Sequence, residues 1–272
     1  MVLTAFVAML LAAPSGAVPW ETVLFGCLGI SFAAGAGGAI NHLIDRHADA
    51  VMARTSGRPL PSGRVKLAYA IALASGLTIL SMIILLTEVN VVAAILSFLS
   101  LVGYAGVYTL ILKRATPQNI VIGGLAGAMP PLLGWSAMTG TITGHALLLV
   151  LIIFTWTPPH FWALAIYRLE EYKKANIPMM PVTHGIPFTK MQILLYTLLM
   201  IAVTYLAFAV DMFGWIYFIG VTLLNAGFLY SVIKLYRSND TKDGLKTFRY
   251  SITYLGILFI VMLLDHYFAF LI

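Results

Sequence analysis

The segment NHLIDRHADAVMARTSGRPLPSG, residues 41–63, is the only densely charged stretch in the first quarter of a 272-residue chain. Apolar sequence lies on both sides of it, and the chain as a whole is 61% hydrophobic and only 10% charged. Soluble domains carry roughly 25% charged residues, so this composition excludes an ordinary soluble protein. The charged segment therefore interrupts a membrane protein at one particular point.

Apolar runs of about 20 residues recur along the chain, the length that a helix needs to cross a hydrocarbon core of roughly 30 Å. We predict an all-α fold, a polytopic membrane helix bundle of about nine transmembrane helices in a single domain, residues 1–272. The first helix is too short to cross, because it is either truncated or a partial span, and a cleaved signal peptide is the competing interpretation. The predicted spans are 3–13, 18–40, 66–86, 90–112, 118–138, 145–167, 189–210, 212–235 and 249–271.

The distribution of basic residues predicts the orientation of these spans. All 16 Lys and Arg residues lie after predicted spans two, four, six and eight, and the alternate loops contain none. By the positive-inside rule the basic loops are cytoplasmic, so the amino terminus is inside and the carboxyl terminus outside. The net charge of +6 then reflects membrane topology, and no nucleic-acid partner is expected.

The acidic residues of the opening segment follow a helical register. Asn41, Asp45 and Asp49 are four residues apart, and each step turns only about 40° past a full circle and climbs about 6 Å. Carboxylates and an amide oxygen are hard donors that suit Mg²⁺, and Arg54 and Arg58 add cations that can grip phosphate. The pattern favours a diphosphate site, although solvated loop charges would also produce it.

Two more segments at the predicted cytoplasmic side carry candidate residues. Tyr104 and Tyr108 precede the basic pair Lys113 and Arg114, which we expect near phosphate, and a run of small residues follows. That run, with a basic helix end, is also what ordinary helix packing requires. The small-residue run contains Gly123, Gly124, Gly127 and Pro130.

The second segment contains His160, which follows two prolines inside predicted span six. A polar residue at membrane depth usually faces the bundle interior or a cavity, and is a candidate for function. A hydrogen-bonded core histidine is the alternative. Glu170 and Glu171, at the end of this span, are either a second metal site or solvated surface charges.

Three blocks together resemble a known family. They are Asn41-x3-Asp45-x3-Asp49 with MARTSGRPLPSGR (52–64), YTLILKRATPQNIVIGGLAGAMPPLLGW (108–135) and TWTPPHFWALAIYRLEEYKKANIPMMPV (155–182). The first is similar to the UbiA-type intramembrane prenyltransferases. The second and third resemble one branch of them, the protoheme IX farnesyltransferases or haem O synthases. The resemblance extends over roughly residues 2–270.

This resemblance implies a farnesyl transfer in the cytoplasmic (inner) membrane. Farnesyl diphosphate would donate its prenyl group to the 2-vinyl group of haem B, which is a substrate and not a cofactor. Water is added, diphosphate leaves, and haem O results for haem–copper oxidases. Haem A synthase or the terminal oxidase assembly would be a candidate partner, in addition to the lipid bilayer.

The resemblance also assigns roles to residues. Mg²⁺ would hold the diphosphate between two acidic motifs, with Asp45, Asp49 and Glu171 as candidate metal ligands. Tyr104 and Tyr108 could stabilise the incipient farnesyl cation by cation–π contact. The resemblance implies that a set of polar residues binds the diphosphate and assists its departure, namely Asn41, Arg54, Arg58, Lys113 and Arg114. His160 would orient haem or water. Glu171 and Asn176 would form the second acidic motif.

Three features depart from the family's pattern. His47 stands where many members have a further acid, and Glu171 stands where aspartate is common, which puts its metal role in question. Members also usually begin with a segment that contains Lys-Pro-Arg, and the printed sequence starts after it.

Two other functions are consistent with parts of the sequence. One is prenylation of a quinone precursor, and the other, of a different class, is transport of a small molecule. Transporters tend to place ionisable groups and broken helices near the midplane of the bilayer. Here nearly all charge lies at one predicted membrane face, which favours an enzyme with a site at that face.

Overall fold

The structure is a computed structural model that describes residues 1–13, 17–51, 55–112 and 116–268. Throughout these ranges the regular elements are helices, and no strand occurs in them. The helices are α1 Val2–Ala12, α2 Trp20–Val51, α3 Leu67–Ile84 with a π-helical turn Leu85–Val89, α4 Val91–Val102 with a π-helical segment Gly103–Leu112, α5 Asn119–Ala128, α6 Pro130–Thr139, α7 Gly144–Tyr167, α8 Leu169–Lys174, α9 Met180–Thr183, α10 Gly185–Ala209, α11 Trp215–Arg237 and α12 Lys242–Phe268.

These helices confirm the predicted all-α polytopic fold. In the described part of the chain, seven helices are long and apolar enough to cross a membrane, and Val2–Ala12 and Val91–Gly106 are shorter apolar helices. Together they correspond to the nine predicted spans. The largest difference is in α2, which continues eleven residues past the predicted end at residue 40 and reaches Val51. The acidic register of the opening segment is therefore part of a transmembrane helix and not of a loop.

The chain forms two compact units. The first comprises residues 1–142 and 170–178. In it α2 packs along α3, and α1 packs against α6. Polar side chains link the helices of this unit: the buried Ser81 donates to the carbonyl of Gly29 at 2.7 Å, and Asn90, at the start of α4, donates to the carbonyls of Ser136 and Ala137 in α6, each at 3.0 Å.

The second unit comprises residues 143–169 and 179–272, described to residue 268. Here α10 packs on both α7 and α11, and α12 packs on α7 and α11. The buried carboxylate of Asp265 accepts hydrogen bonds from the backbone N–H groups of Gly214 at 2.6 Å and Tyr217 at 2.9 Å, and so caps the start of α11. Asn225 donates to Thr204 at 3.0 Å and accepts from Tyr254 at 2.7 Å, so that one polar network joins three helices.

Glycines permit close contacts between helices of the first unit, although not every glycine of the small-residue run lies at such a contact. A Cβ atom on Gly134 would overlap the backbone of Ala5, so only glycine lets α6 approach α1 this closely. Gly123 fits against the ring of Tyr108 in the same way. Gly127, by contrast, has open space where a Cβ would be.

We expect Gly134→Ala to destabilise the protein by about 1–3 kcal/mol, the usual cost of forcing an extra carbon into a packed contact. Gly127→Ala is the matched control, and its stability should equal or slightly exceed that of the wild type, because alanine is the better helix former. Thermal unfolding of both variants in the same detergent measures the difference. Equal melting temperatures would contradict the α1–α6 packing.

Candidate active site

The carboxylates of the first acidic motif are buried at the end of α2. Asp45 is only 1% exposed and Asp49 only 4% exposed, although both lie within seven residues of the helix end. Buried carboxylates require partners, because removing a charge from water is costly. The neighbouring side chains of the first unit supply them.

Asp45 is held by a chain of hydrogen bonds from α2 to α4. The Nδ2 of Asn41 donates to Asp45 Oδ2 at 3.0 Å and to Thr109 Oγ1 at 3.3 Å. The Thr109 hydroxyl donates in turn to the backbone carbonyl of Tyr104 at 2.8 Å. Asn41 thus faces Asp45 with its amide nitrogen, and the amide oxygen, which the sequence analysis offered as a donor for Mg²⁺, takes no part in these two contacts.

The π-helical segment Gly103–Leu112 explains how Thr109 reaches this position. On an α-helix, five residues turn about 140° past a full circle, so Tyr104 and Thr109 would face different directions. In a π-helix residues five apart stack, because the hydrogen bonds run from i to i+5. The sequence shows an apolar run here, and nothing in it indicated this geometry.

Asp49 is paired with the loop that follows α2. Arg58 Nη1 lies 2.6 Å from Asp49 Oδ2, which makes a charge-assisted hydrogen bond. The Thr55 hydroxyl donates to the backbone carbonyl of Asp49 at 3.0 Å, and the Arg58 N–H donates to the carbonyl of Thr55 at 3.0 Å. The loop is therefore folded back onto the helix end and brings the guanidinium to the acid, as the sequence predicted for Arg58.

Two tyrosines lie beside the acids. The rings of Tyr104 and Tyr108 stack with their centroids 5.7 Å apart. The Tyr104 ring lies against Gly37 of α2, one helical turn before Asn41. The aromatic pair and the acidic motif are thus neighbours within the first unit.

The second acidic motif belongs to the same unit as the first, although more than 120 residues separate them in the sequence. Glu170 forms a surface ion pair with Lys173 at 2.9 Å, which fits the solvated interpretation for that residue. Asn176 is exposed and has a left-handed backbone, with φ of 51°.

His160 lies in the second unit, in α7, and is 7% exposed. Its ring stacks on Trp156 at 4.1 Å and on Phe248 at 4.5 Å, and its Nδ1 lies 2.6 Å from Ser251 Oγ. The Ser251 hydroxyl donates to the carbonyl of Phe248 at 2.6 Å, so toward His160 it can only accept. The histidine is then protonated on Nδ1, and Nε2 carries the lone pair.

Three of the predicted residues, Arg54, Lys113 and Arg114, lie outside the described residues. Among those described, no group of three or more His, Cys, Asp or Glu side chains is arranged to hold a metal. His47 is exposed. The structure adds three hydroxyl residues that no local sequence pattern distinguishes, namely Thr55 in the loop after α2 and the helical residues Thr109 and Ser251.

Nearly the whole chain matches one family model. The description of that family is "UbiA prenyltransferase family", and the match covers residues 1–263. The chain belongs to this family. It is therefore a multi-pass membrane enzyme of the prenyltransferase class, and the transporter alternative is set aside.

Two curated relatives have the same name. Proteins of Marinobacter nauticus and Teredinibacter turnerae, each named protoheme IX farnesyltransferase, are 58% identical to this chain over 267 residues. The alignments cover 98% of this chain and 88% and 86% of the relatives.

Solved structures share the UbiA fold at lower identity. The TM-score is 0.81 at 19% identity to a structure described as digeranylgeranylglyceryl phosphate synthase, covering 97% of this chain and 92% of that one. It is 0.64 at 15% identity to a UbiA homolog from Archaeoglobus fulgidus bound to GPP and Mg²⁺, covering 96% and 94%. At these identities the comparison establishes the fold.

If the Arg58 guanidinium binds diphosphate, Arg58→Gln should weaken pyrophosphate binding by about tenfold or more, because charge-assisted contacts are among the stronger hydrogen bonds. Arg46→Gln is the control: it removes the same charge from an exposed arginine of α2 whose hydrogen bond among the described residues is to the carbonyl of Leu43. Isothermal titration of the purified protein with magnesium pyrophosphate measures both. Equal weakening by the two changes would show a general effect of charge.

Proposed function

We propose that this protein transfers the farnesyl group of farnesyl diphosphate to the 2-vinyl group of haem B, adds water, and releases haem O and diphosphate. The observation that carries the proposal is the common name of relatives that are 54–58% identical over nearly the whole chain. The same names confirm the activity predicted from the three sequence blocks. Haem O then serves the biogenesis of haem–copper oxidases.

The donor diphosphate is assigned to the first acidic motif. Asp45 and Asp49 offer two buried carboxylates on successive turns, and Mg²⁺ typically takes one or two carboxylates together with substrate phosphate oxygens. The donor set thus fits Mg²⁺, and the A. fulgidus homolog bound to GPP and Mg²⁺ supports its use here. When bound, Mg²⁺ would offset the charge that develops on the leaving diphosphate. Arg58 supplies a fixed positive charge for the same purpose.

Further cations are assigned to this end of the site from the sequence. Arg54, Lys113 and Arg114 remain proposed diphosphate contacts. Glu171 is a proposed additional metal ligand, and Asn176 a proposed second-motif contact. The support for Glu171 and Asn176 is that residues 170–178 belong to the unit that holds Asp45.

The prenyl cation is assigned to the aromatic pair. As the C1–oxygen bond of farnesyl diphosphate breaks, positive charge develops on the prenyl chain. The stacked rings of Tyr104 and Tyr108, next to Asp45, present π-electron faces that attract such a charge. The terminal carbon of the haem vinyl group then bonds to C1, which leaves a cation on the adjoining carbon.

The acceptor half of the reaction is assigned to His160. Water adds to the cation on the vinyl carbon and must lose one proton. With Nδ1 donating to Ser251, the free lone pair of Nε2 can orient that water or the haem and accept the proton. Its burial between Trp156 and Phe248 keeps the ring in one orientation.

We also propose the membrane orientation. The enzyme lies in the cytoplasmic (inner) membrane with its amino terminus and active-site loops inside and its carboxyl terminus outside. The support is the distribution of all 16 Lys and Arg residues over alternate loops. Haem A synthase or the terminal oxidase assembly is the proposed partner that receives haem O. The match of one family model to residues 1–263 supports a single domain.

An acceptor comparison tests the activity. Purified protein with Mg²⁺ and farnesyl diphosphate is given haem B, 4-hydroxybenzoate or a naphthoate acceptor in separate reactions. We expect a new product only with haem B, with the chromatographic retention and the absorption spectrum of haem O. Transfer to a phenolic acceptor alone would replace the haem assignment with quinone-precursor prenylation.

The carboxylate assignment predicts loss of turnover in Asp45→Asn, by about 100-fold or more, because the amide carries no charge for the metal. Asp211→Asn is the control, since Asp211 is exposed with a left-handed backbone, φ of 56°, that asparagine also adopts readily. Haem O formation under saturating substrates is the measurement. If Asp45→Asn retained near-normal transfer, the metal assignment would be wrong.

A further inference from the structure

The hydroxyl of Thr109 determines which atom of Asn41 faces the acidic site. A hydroxyl has one hydrogen and two lone pairs, and the hydrogen of Thr109 is donated to the carbonyl of Tyr104 at 2.8 Å. Toward Asn41 it can therefore only accept. The Asn41 atom that lies 3.3 Å from the Thr109 hydroxyl must therefore be the amide nitrogen, which donates, and not the amide oxygen.

The same nitrogen has a second hydrogen, and that hydrogen is directed to Asp45. Asn41 Nδ2 lies 3.0 Å from Asp45 Oδ2, so one NH₂ group bridges the threonine and the carboxylate. Both hydrogens of the amide are used, and the amide cannot flip without placing its oxygen against the carboxylate and against the lone pairs of Thr109. One hydrogen bond that orients Asp45 is thus itself fixed by a hydroxyl from another helix.

We infer that Thr109 is a positioning residue for the divalent cation and diphosphate at Asp45, acting through Asn41. This inference rests on the proposed function, since it concerns the same site. Asn41 is then a hydrogen-bond donor that orients the carboxylate through its amide nitrogen. The π-helical segment of α4 places the hydroxyl there, and the positioning of Thr109 is the role that we assign to this segment.

The test is cation binding in Thr109→Val, which keeps the shape of threonine and removes the hydroxyl. The probe is Mn²⁺ in the presence of pyrophosphate, with unbound Mn²⁺ measured by its electron paramagnetic resonance signal. We expect the Kd for Mn²⁺ to rise about 10–100-fold, the usual effect of removing a group that orients a metal ligand. Thr109→Ser, which retains the hydroxyl, should restore the affinity.

A matched control removes another helical hydroxyl. Thr78 in α3 also donates to a backbone carbonyl, that of Ala74 at 2.8 Å, and it makes no contact with the acidic motif among the described hydrogen bonds. Thr78→Val should bind Mn²⁺ as the wild type does. Unchanged affinity in a folded Thr109→Val protein would overturn the inference, and so would a Thr109→Ser variant as weak as Thr109→Val.

A double-mutant cycle provides a second measurement. If Thr109 acts through Asn41, the effects of Thr109→Val and Asn41→Ala on the Kd for Mn²⁺ should not add in the double variant. Additive effects would contradict the inference. Should Thr109→Val not fold, Thr109→Ala enters the same cycle.

The cation-binding experiment is independent of the acceptor. Loss of Mn²⁺ affinity in Thr109→Val together with transfer to a phenol would support the positioning role and refute the haem assignment. If the wild type forms haem O but Thr109→Val binds Mn²⁺ as tightly as the wild type does, the haem assignment is supported and the positioning role is refuted.

Discussion

Burial of two carboxylates at the end of a transmembrane helix is the constraint on which the rest of the site depends. A charge removed from water must be paired or hydrogen-bonded, and each acid has its own arrangement. Asp45 is held from α4 through Asn41, and Asp49 is paired with Arg58 from the following loop. The loop conformation and the contact between α2 and α4 are thus both tied to the acids. A site built in this way is oriented before any diphosphate arrives, which is what stabilisation of a developing charge requires.

In the second unit, too, a single polar group makes more than one hydrogen bond. The Ser251 hydroxyl bonds a carbonyl of its own helix and also accepts from His160, while the indole of Trp156 donates to the Ser251 carbonyl at 3.0 Å. The aromatic stack and the hydrogen bond fix the plane and the tautomer of one histidine. In an apolar environment such fixed polar groups interact more strongly than they would in water.

The sequence predicted the features that depend on local spacing. A step of four residues places Asn41, Asp45 and Asp49 on one helix face, and the helix indeed runs through all three. Arg58 lies beside the motif because a loop of a few residues cannot carry it far from the helix end. The predicted end of α2 was too early. Charged residues lower the local hydropathy, but here they do not terminate the helix.

The sequence by itself determined the membrane class, the family and the helix face that carries the acidic motif, because hydrophobicity, helical period and motif spacing are properties of neighbouring residues. Only the tertiary structure decided which atoms meet. Asn41 and Thr109 are 68 residues apart, and His160 and Ser251 are 91 residues apart. The role of Asn41 as a donor, and the tautomer of His160, each depend on where a distant hydroxyl sends its single hydrogen. That direction is set by helix packing and by one π-helical segment, which no local pattern encodes.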